Sequence, residues 1–333
     1  MIYTSFDNID LVKVLSFLKS HKKEYLSDQD ISDILKISRV AVREHIKKIR
    51  SLGYQIESKQ KLGYRLVNTT NLILPWELTD GLKTKMIGKK VYYFDTIDST
   101  QNFAIKIASN SKENGTVVIS NKQTRGRGRL GRGWISPQGG IWLSIILQPN
   151  FDISITTLFP IAASLALTRA IEKTVGKKTK LKWPNDITIK GKKVAGILVD
   201  VSVESNKIEN LVLGVGINFQ INQIRLERIL KNTENFYGVI SLMEKSKCSN
   251  PILLVKNFLY ELEKIIELLE KGKRKIIIKN WTKKSSTIGK NVVLSTSDGK
   301  IKGRAIKLDS DGALVIYNKK KYQRVYAGDL IHS

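Results

Sequence analysis

Residues 125–134 read Arg-Gly-Arg-Gly-Arg-Leu-Gly-Arg-Gly-Trp, and no regular element can carry them. Four glycines in ten positions cost a helix or strand too much backbone entropy, and four arginines repel one another unless an anion stands among them. Yet the run lies between two apolar segments of strand character, Thr116–Ile119 and Trp142–Leu147. The fold must therefore hold an irregular cationic loop against a packed sheet. Glycines let such a loop approach a ligand closely, and guanidinium forks match carboxylate or phosphate. The loop is expected to be mobile until an anion neutralises it. No G-K-[ST] follows, so it is not a Walker A loop, and it does not open a helix as a G-x-G-x-x-G turn does. The alternative, a disordered RGG-type RNA-binding tail, fits poorly with a position between strands.

Upstream, residues 1–67 carry the pattern of a small helical head. Ile9, Val12, Leu15 and Leu18 recur at helical spacing. Ser27 and Asp30 form an S-x-x-D start ahead of Ile31, Ile34 and Leu35. After a turn at Lys36-Ile37, Ser38 caps a third helix with Val42, Ile46 and Ile49 inward and Arg39, Arg43, Lys47 and Arg50 on or beside the open side; Gly53 ends it. Two short alternating segments follow, Tyr54–Glu57 and Tyr64–Leu66. Three helices and a basic hairpin give the winged helix-turn-helix order, in which a helix N-terminus enters the major groove and the wing lies on the backbone. Ser38, Arg39, Arg43, Lys59 and Lys61 are the candidate DNA contacts. A protein-contact module of the same shape is the alternative.

Leu74-Pro75-Trp76 opens a joining segment, and strand-like and helix-like runs alternate from there to about residue 283. Val91–Phe94, Lys180–Lys182, Val194–Val203 and Leu211–Ile217 read as strands, Thr100–Ala108, Thr157–Val175 and Pro251–Leu269 as helices. This is a mixed α/β domain, spanning 75–283, with helices on at least one face of its sheet. Residues 285–333 read as about five short strands, with turns at Asp298-Gly299 and Asp311-Gly312. The expected class is α+β and multidomain: a winged head (1–67), a central α/β domain (75–283) and a small SH3-like barrel (285–333).

Three further motifs follow the loop: Lys182-Trp183-Pro184-Asn185-Asp186, Lys193-Val194-Ala195-Gly196-Ile197-Leu198 and Gly214-Val215-Gly216-Ile217-Asn218. With Asp98-Ser99-Thr100, Gln123 and the loop to Trp134, in this order over essentially the whole chain, the sequence resembles the bifunctional biotin ligase/biotin operon repressor family. That resemblance implies a biotin/lipoate ligase-like, class II synthetase-like central domain. It also implies two steps: biotin's carboxylate attacks the α-phosphate of ATP to give biotinyl-5′-AMP, and a lysine of the biotin carboxyl carrier protein then takes the biotinyl group. No Ser-His-Asp or Cys-His set is needed, because the substrates supply both nucleophiles.

The resemblance assigns roles residue by residue. Arg127, Lys193, Lys182 and Asp186 are the catalytic candidates, with Lys193 placed at the developing acyl-phosphate. Ser99, Thr100, Gln101, Gln123, Arg127, Gly128, Arg129, Lys193 and Gly196 are the biotin candidates; Arg129, Arg132, Trp134, Asn185 and Asn218 are those for ATP and adenylate, with Trp134 stacked on adenine. Protein side chains alone build no metal site; Mg2+ would arrive with ATP, and Asp186 is its candidate contact. Where the family commonly has S-T-N, this chain has Ser99-Thr100-Gln101, with Asn102 next. The implied partners are the carrier protein, biotin operon operator DNA with biotinyl-5′-AMP as corepressor, and a second copy as an adenylate-bound homodimer meeting at the sheet edge of the central domain. A monofunctional ligase with a vestigial head, a lipoate or octanoate ligase and a non-enzymatic ligand-sensing transcription factor are the alternatives.

Net charge decides little between these. The chain carries +27, but residues 1–67 hold only +5 of it, 68–270 hold +10 and 271–333 hold +12. A basic surface spread over the whole molecule accounts for that without DNA. Cys248 is the only cysteine and His21, His45 and His332 are scattered, so no internal disulfide and no thiolate or histidine metal cluster is expected. No apolar run approaches the ~18 residues of a membrane span, and the first residues lack leader character, so the expectation is a cytoplasmic protein without membrane association.

Overall fold

The computed structural model describes the chain apart from residues 1, 5–8, 150–151, 205–206, 234–235, 244–249, 297–298, 320 and 332–333. Cys248, His332 and Asp298 of the expected turn lie outside the described residues. After a short strand β1 (Ile2–Thr4), the head comprises α1 (Ile9–Ser20), α2 (Asp28–Leu35), α3 (Arg39–Ser51) and the antiparallel pair β2 (Gln55–Lys59) and β3 (Gly63–Asn68). Both expected helix starts hold. Ser27 Oγ accepts from Asp30 N at 3.0 Å while Asp30 Oδ2 accepts from Ser27 N at 3.1 Å, and Ser38 Oγ accepts from Ala41 N at 3.1 Å. Gly53 follows the α3 C-cap at φ +83°, a left-handed position that suits glycine.

Two apolar positions of these helical patterns are exposed. α1 buries Leu11, Val14, Leu15 and Leu18, and leaves Ile9 63% exposed; α2 buries only Ile31, with Ile34 58% exposed. A helix of eight residues shows the core one turn, so one of its three aliphatic side chains is enough to anchor it.

The head is fused to the body by a common core. Ile73 and Leu74 lead into α4 (Pro75–Thr79), whose Trp76 and Leu78 are buried in the same cluster as the head's Leu15 and the body's Phe258. A polar knot closes the junction: buried Glu77 accepts from Lys19 Nζ at 2.6 Å and from Tyr54 Oη at 2.5 Å, and Tyr54 Oη accepts from Trp76 Nε1 at 2.8 Å. Burial, with the Glu77 carboxylate beside it, pushes the Tyr54 hydroxyl far above its ordinary range, so it stays a donor.

The body is built on β4 (Val91–Ile97), α5 (Thr100–Ala108), β5 (Val117–Gln123), β6 (Ile141–Leu147), α6 (Phe159–Val175), β7 (Lys180–Lys182), β8 (Asp186–Ile189), β9 (Lys192–Glu204), β10 (Lys207–Ile217), α7 (Gln223–Leu230), α8 (Pro251–Glu270) and α9 (Arg274–Lys284). Its sheet runs β1-β4-β5-β6-β10-β9-β8-β7, antiparallel except for β4 and β5. α6 covers one face, backed by α8 and α9. α5 covers only part of the other, over Phe94, Val118, Ile146 and Val212. Beyond it the alternation along β10 continues Val212, Gly214, Gly216, and the partners across the sheet are Ser144 and Leu198, then Trp142 and Gly196. Gly214, Gly216, Gly196 and Ser144 on this face thus leave a hollow where the helix ends. The G-x-G is a strand floor, not a turn.

The third unit is a five-stranded antiparallel sheet, in order β14 (Lys321–Val325), β13 (Leu314–Asn318), β12 (Gly299–Leu308), β11 (Asn291–Thr296) and β15 (Asp329–Ile331). It is bound to the body at the Lys182–Asp186 motif: Trp183 N donates to Thr287 Oγ1 at 3.1 Å and Trp183 Nε1 to Gly312 O at 3.3 Å.

Glu77→Ala removes the acceptor shared by Lys19 and Tyr54, leaving a partly buried ammonium and the proton of a buried hydroxyl without that acceptor. We expect a loss of about 2 kcal/mol at the head–body junction. It should appear in urea unfolding followed by circular dichroism as a head transition at lower denaturant than in the parent chain.

Candidate active site and DNA-binding face

The hollow beside α5 and a second one beyond it, about 790 and 870 Å³, share one wall. The first is bounded by all nine candidates assigned to biotin: Ser99, Thr100, Gln101, Gln123, Arg127, Gly128, Arg129, Lys193 and Gly196. Around the second lie all five assigned to the nucleotide, Arg129, Arg132, Trp134, Asn185 and Asn218, together with Lys182 and Asp186. Arg129, Arg132, Trp134, Asn185, Asp186 and Lys193 face both. A carboxylate in one chamber and a phosphate in the other would meet at this cationic seam.

The arginine–glycine loop is a hairpin. Trp134 N donates to Gly126 O at 2.8 Å and Gly128 N to Arg132 O at 2.7 Å, with a 3₁₀ turn over Arg129–Gly131 at the tip. A Cβ on Gly126 would lie 2.4 Å from Trp134 O, so this glycine is required by the hairpin itself. The chain's own carboxylates meet the arginines. Arg127 lies 3.3 Å from Asp200, and Asp329 from the C-terminal unit takes Arg132 and, at 3.8 Å, Arg129. Arg129 also donates to Asn185 Oδ1 at 3.1 Å. Burial pulls its guanidinium below the ordinary arginine range, against the pull of Asp329 and Asp186.

Trp134 lies on the glycine floor. Cβ atoms on Gly196 and Gly216, which pair across β9 and β10, would stand 2.9 and 2.6 Å from its ring. Lys193 Nζ sits 4.9 Å from the ring centroid. The indole Nε1 is buried against the Gly216 floor, with no hydrogen-bond partner among the described residues.

At the N-terminus of α5 a connected network sets the small chamber. Gln123 Oε1 accepts from Thr100 N at 2.8 Å, Thr100 Oγ1 contacts Ser144 Oγ at 3.0 Å, and Ser144 Oγ donates to Gln101 Oε1 at 2.8 Å. Gln101 Nε2 then donates to Asp200 Oδ2 and Val212 O, both at 2.9 Å. The departure at Gln101 therefore has a structural account. The longer amide bridges α5 to β9 and β10 and completes the floor over Gly214, where a Cβ would lie 2.6 Å from its oxygen. Asn102 is turned outward, donating to Asp98 and accepting from Arg127.

On the far wall, Lys193 Nζ pairs with Asp186 Oδ1 at 2.6 Å, and Asp186 Oδ2 accepts from Tyr237 Oη at 2.6 Å. Lys182 Nζ stands 3.3 Å over the Tyr237 ring. Desolvation lowers the Lys182 ammonium to about 8, with Lys193 adding to the effect and Asp186 opposing it. Asn185 donates to Ile197 O at 2.6 Å, and Asn218 to Lys193 O at 3.4 Å. Asp200, Tyr237 and Asp329 were not foreseen. A faint signal existed for Asp329, one of only four acidic residues in a tail of net +12. Among the described residues no three His, Cys, Asp or Glu converge as a metal cluster, and no helix is long and apolar enough to cross a membrane.

In the head, Arg39 and Arg43 stand half-exposed at the start of α3 and share one carboxylate: Asp28 lies 3.4 Å from Arg39 and 2.5 Å from Arg43. The Arg43 hydrogen bond holds the Asp28 carboxyl below the usual range. Ser38 Oγ is occupied as the cap, and Lys59 and Lys61 are exposed on the wing. Arg50 is turned away to Ile56 O and Ser58 Oγ, tying α3 to the wing.

A model of the biotin/lipoate A/B protein ligase family matches residues 93–218, a helix-turn-helix domain model residues 11–65, and a biotin protein ligase C-terminal domain model residues 287–333. The bifunctional ligase/repressor BirA of Bacillus spizizenii is 33% identical over 96% of this chain and 97% of its own length. The Escherichia coli protein of the same name is 27% identical over 93% of each. Among solved structures, the biotin protein ligase of Aquifex aeolicus in complex with biotin and ATP has 25% identity and a TM-score of 0.59, covering 72% of this chain and 97% of its own.

The Lys182 shift makes a stability prediction. Its folded value near 8 lies below the ordinary lysine value, so above pH 8 the unfolded chain binds more protons than the folded one and stability rises with pH. Between pH 8 and about 10.5 the parent chain should gain on the order of 2 kcal/mol relative to Lys182→Met. Urea midpoints of the two proteins at pH 7.5 and 10 would measure the difference.

Proposed function

The chain belongs to the bifunctional biotin ligase/repressor family, and on that premise we propose how its residues divide the work. It is an ATP-dependent biotin–protein ligase whose winged head binds DNA. The observation that carries the reading is the shared wall between the two chambers. Biotin fits the one floored by glycines and bounded by α5, ATP fits the one beside Trp134, and Arg129 and Lys193 stand where carboxylate meets α-phosphate.

In this reading a biotin carboxylate oxygen bonds to the α-phosphorus and the bond to pyrophosphate breaks. Both partners are anionic, so the barrier is chiefly electrostatic, and donors fixed before the reaction lower it most. Arg127 and Arg129 hold the carboxylate and phosphate, with Gly128 giving backbone access; Arg132, Asn185 and Asn218 border the nucleotide. The Lys193 ammonium has three donors, so it stays paired with Asp186 while it donates to the forming acyl-phosphate oxygen. Ser99, Thr100, Gln101, Gln123 and Gly196 surround the biotin rings. Trp134 stacks on adenine. Asp186 already accepts from Tyr237 and pairs with Lys193, which favours Mg2+ entering on the ATP phosphates with Asp186 as its candidate protein contact. In the second step the acceptor amine of a biotin carboxyl carrier protein bonds to the acyl carbon, AMP leaves with the electron pair, and the amine gives up a proton. Lys182, whose ammonium is readily neutralised, borders the chamber that amine must enter.

For the head, Arg39 and Arg43 reach base edges or phosphates from the start of α3, and Lys59 and Lys61 contact the backbone from the wing. Biotinyl-5′-AMP is the corepressor in this reading. An operator palindrome matches two heads related by a two-fold axis, hence a homodimer in the adenylate-bound state.

Two measurements test it. Incubated with labelled biotin, ATP and a carrier domain, the chain labels the carrier lysine; Lys193→Ala labels at less than about a hundredth of that rate with an unchanged melting curve. Near-normal labelling would remove Lys193 from the chemistry. In gel shifts on its own biotin-operon promoter, biotin and ATP together tighten binding, and Arg43→Ala loses at least about ten-fold while still labelling the carrier. A promoter that does not shift under either condition ends the repressor reading and leaves the ligase untouched.

A further inference from the structure

The segment after α7 straps Lys193 from both ends. Its backbone runs beside the start of β9, so that Lys193 N donates to Gly238 O and Ile240 N to Lys193 O, each at 2.9 Å. At the head of this strap Tyr237 donates to Asp186 at 2.6 Å, and Asp186 in turn pairs with the Lys193 ammonium at 2.6 Å. One short segment thus fixes both the main chain of Lys193 and, through a carboxylate, its charged end. The ring of Tyr237 is itself held, lying 3.3 Å beneath the Lys182 ammonium. Burial and the neighbouring Asp186 keep its hydroxyl protonated, so it can donate to the carboxylate.

We propose that Tyr237 is a positioning residue for acyl-adenylate formation, holding Asp186 so that Asp186 aims Lys193 at the seam between the chambers. The proposal rests on the assignment of Lys193 to the acyl-phosphate oxygen. Without the hydroxyl, Asp186 turns about its side-chain bonds and Lys193 samples orientations away from the seam, which slows the chemical step more than it weakens substrate binding.

The test is biotin-dependent exchange of radiolabelled pyrophosphate into ATP by the full chain, in the parent protein, Tyr237→Phe, Asp186→Asn and the double variant. Phenylalanine keeps the ring beneath Lys182 and removes only the donor. Tyr237→Phe should lower kcat about ten-fold, the scale of one hydrogen bond to a charged group, with KM for biotin and ATP changed less than about two-fold. In the Asp186→Asn background the same substitution should cost less than about two-fold, since its route to Lys193 is already cut. A merely structural tyrosine would give the same loss in both backgrounds, and that result, or an unchanged kcat in Tyr237→Phe, overturns the relay. A parent chain that exchanges no pyrophosphate overturns the ligase reading, and the relay with it.

Discussion

The site depends on an imbalance of charge at one seam. Arg129, Arg132, Lys182 and Lys193 converge there on two carboxylates, Asp186 and Asp329. Buried like charges are tolerated only when countered, and here the counter-charge is incomplete. Burial is the main cause of the lowered values at Lys182 and Arg129, and the neighbouring cations Lys193 and Arg132 add to it against the carboxylates. The cavity is consequently suited to an anion with more than one negative charge, and the remainder of the fold can be understood as what keeps the cations together without one.

Each unit contributes to that task. The sheet supplies a floor with no side chains at Gly214, Gly216 and Gly196, so the loop and Trp134 lie almost on the backbone. The C-terminal unit delivers Asp329 to the loop and clasps the indole of Trp183 next to Asn185 and Asp186. Its own sequence shows no binding motif, yet it places a carboxylate between the two loop arginines at the wall of both chambers.

What the sequence made legible follows from the range over which each interaction acts. Helix caps at Ser27 and Ser38 and the end at Gly53 are local, three or four residues deep, and were readable. The loop and the three motifs were readable because glycine and arginine in such density have few uses. Which face of α1 and α2 is buried was not, because Ile9 and Ile34 lose to Leu11, Val14 and Ile31 only once other helices arrive. Tyr237 and Asp329 act across 51 and 197 residues of sequence, and no local pattern distinguishes them from any surface tyrosine or aspartate. Gln101 is the instructive middle case. Its difference from the family was visible, but its partners Ser144, Asp200 and Val212 come from three strands that pattern alone does not bring together.

The same device recurs away from the seam. Asp28 holds Arg39 and Arg43 at the start of α3, as Asp329 holds Arg129 and Arg132. In a chain with 57 basic and 30 acidic residues, total charge identifies nothing, but a carboxylate shared by two arginines marks where cations have been oriented. Long basic side chains lose rotamer entropy whenever they are ordered, and an exposed ion pair returns little net energy in water. Where the pair already exists, an incoming phosphate or carboxylate exchanges one acceptor for another and orders nothing new. The loss of freedom has been met within the fold, so more of the interaction with the ligand is available as affinity.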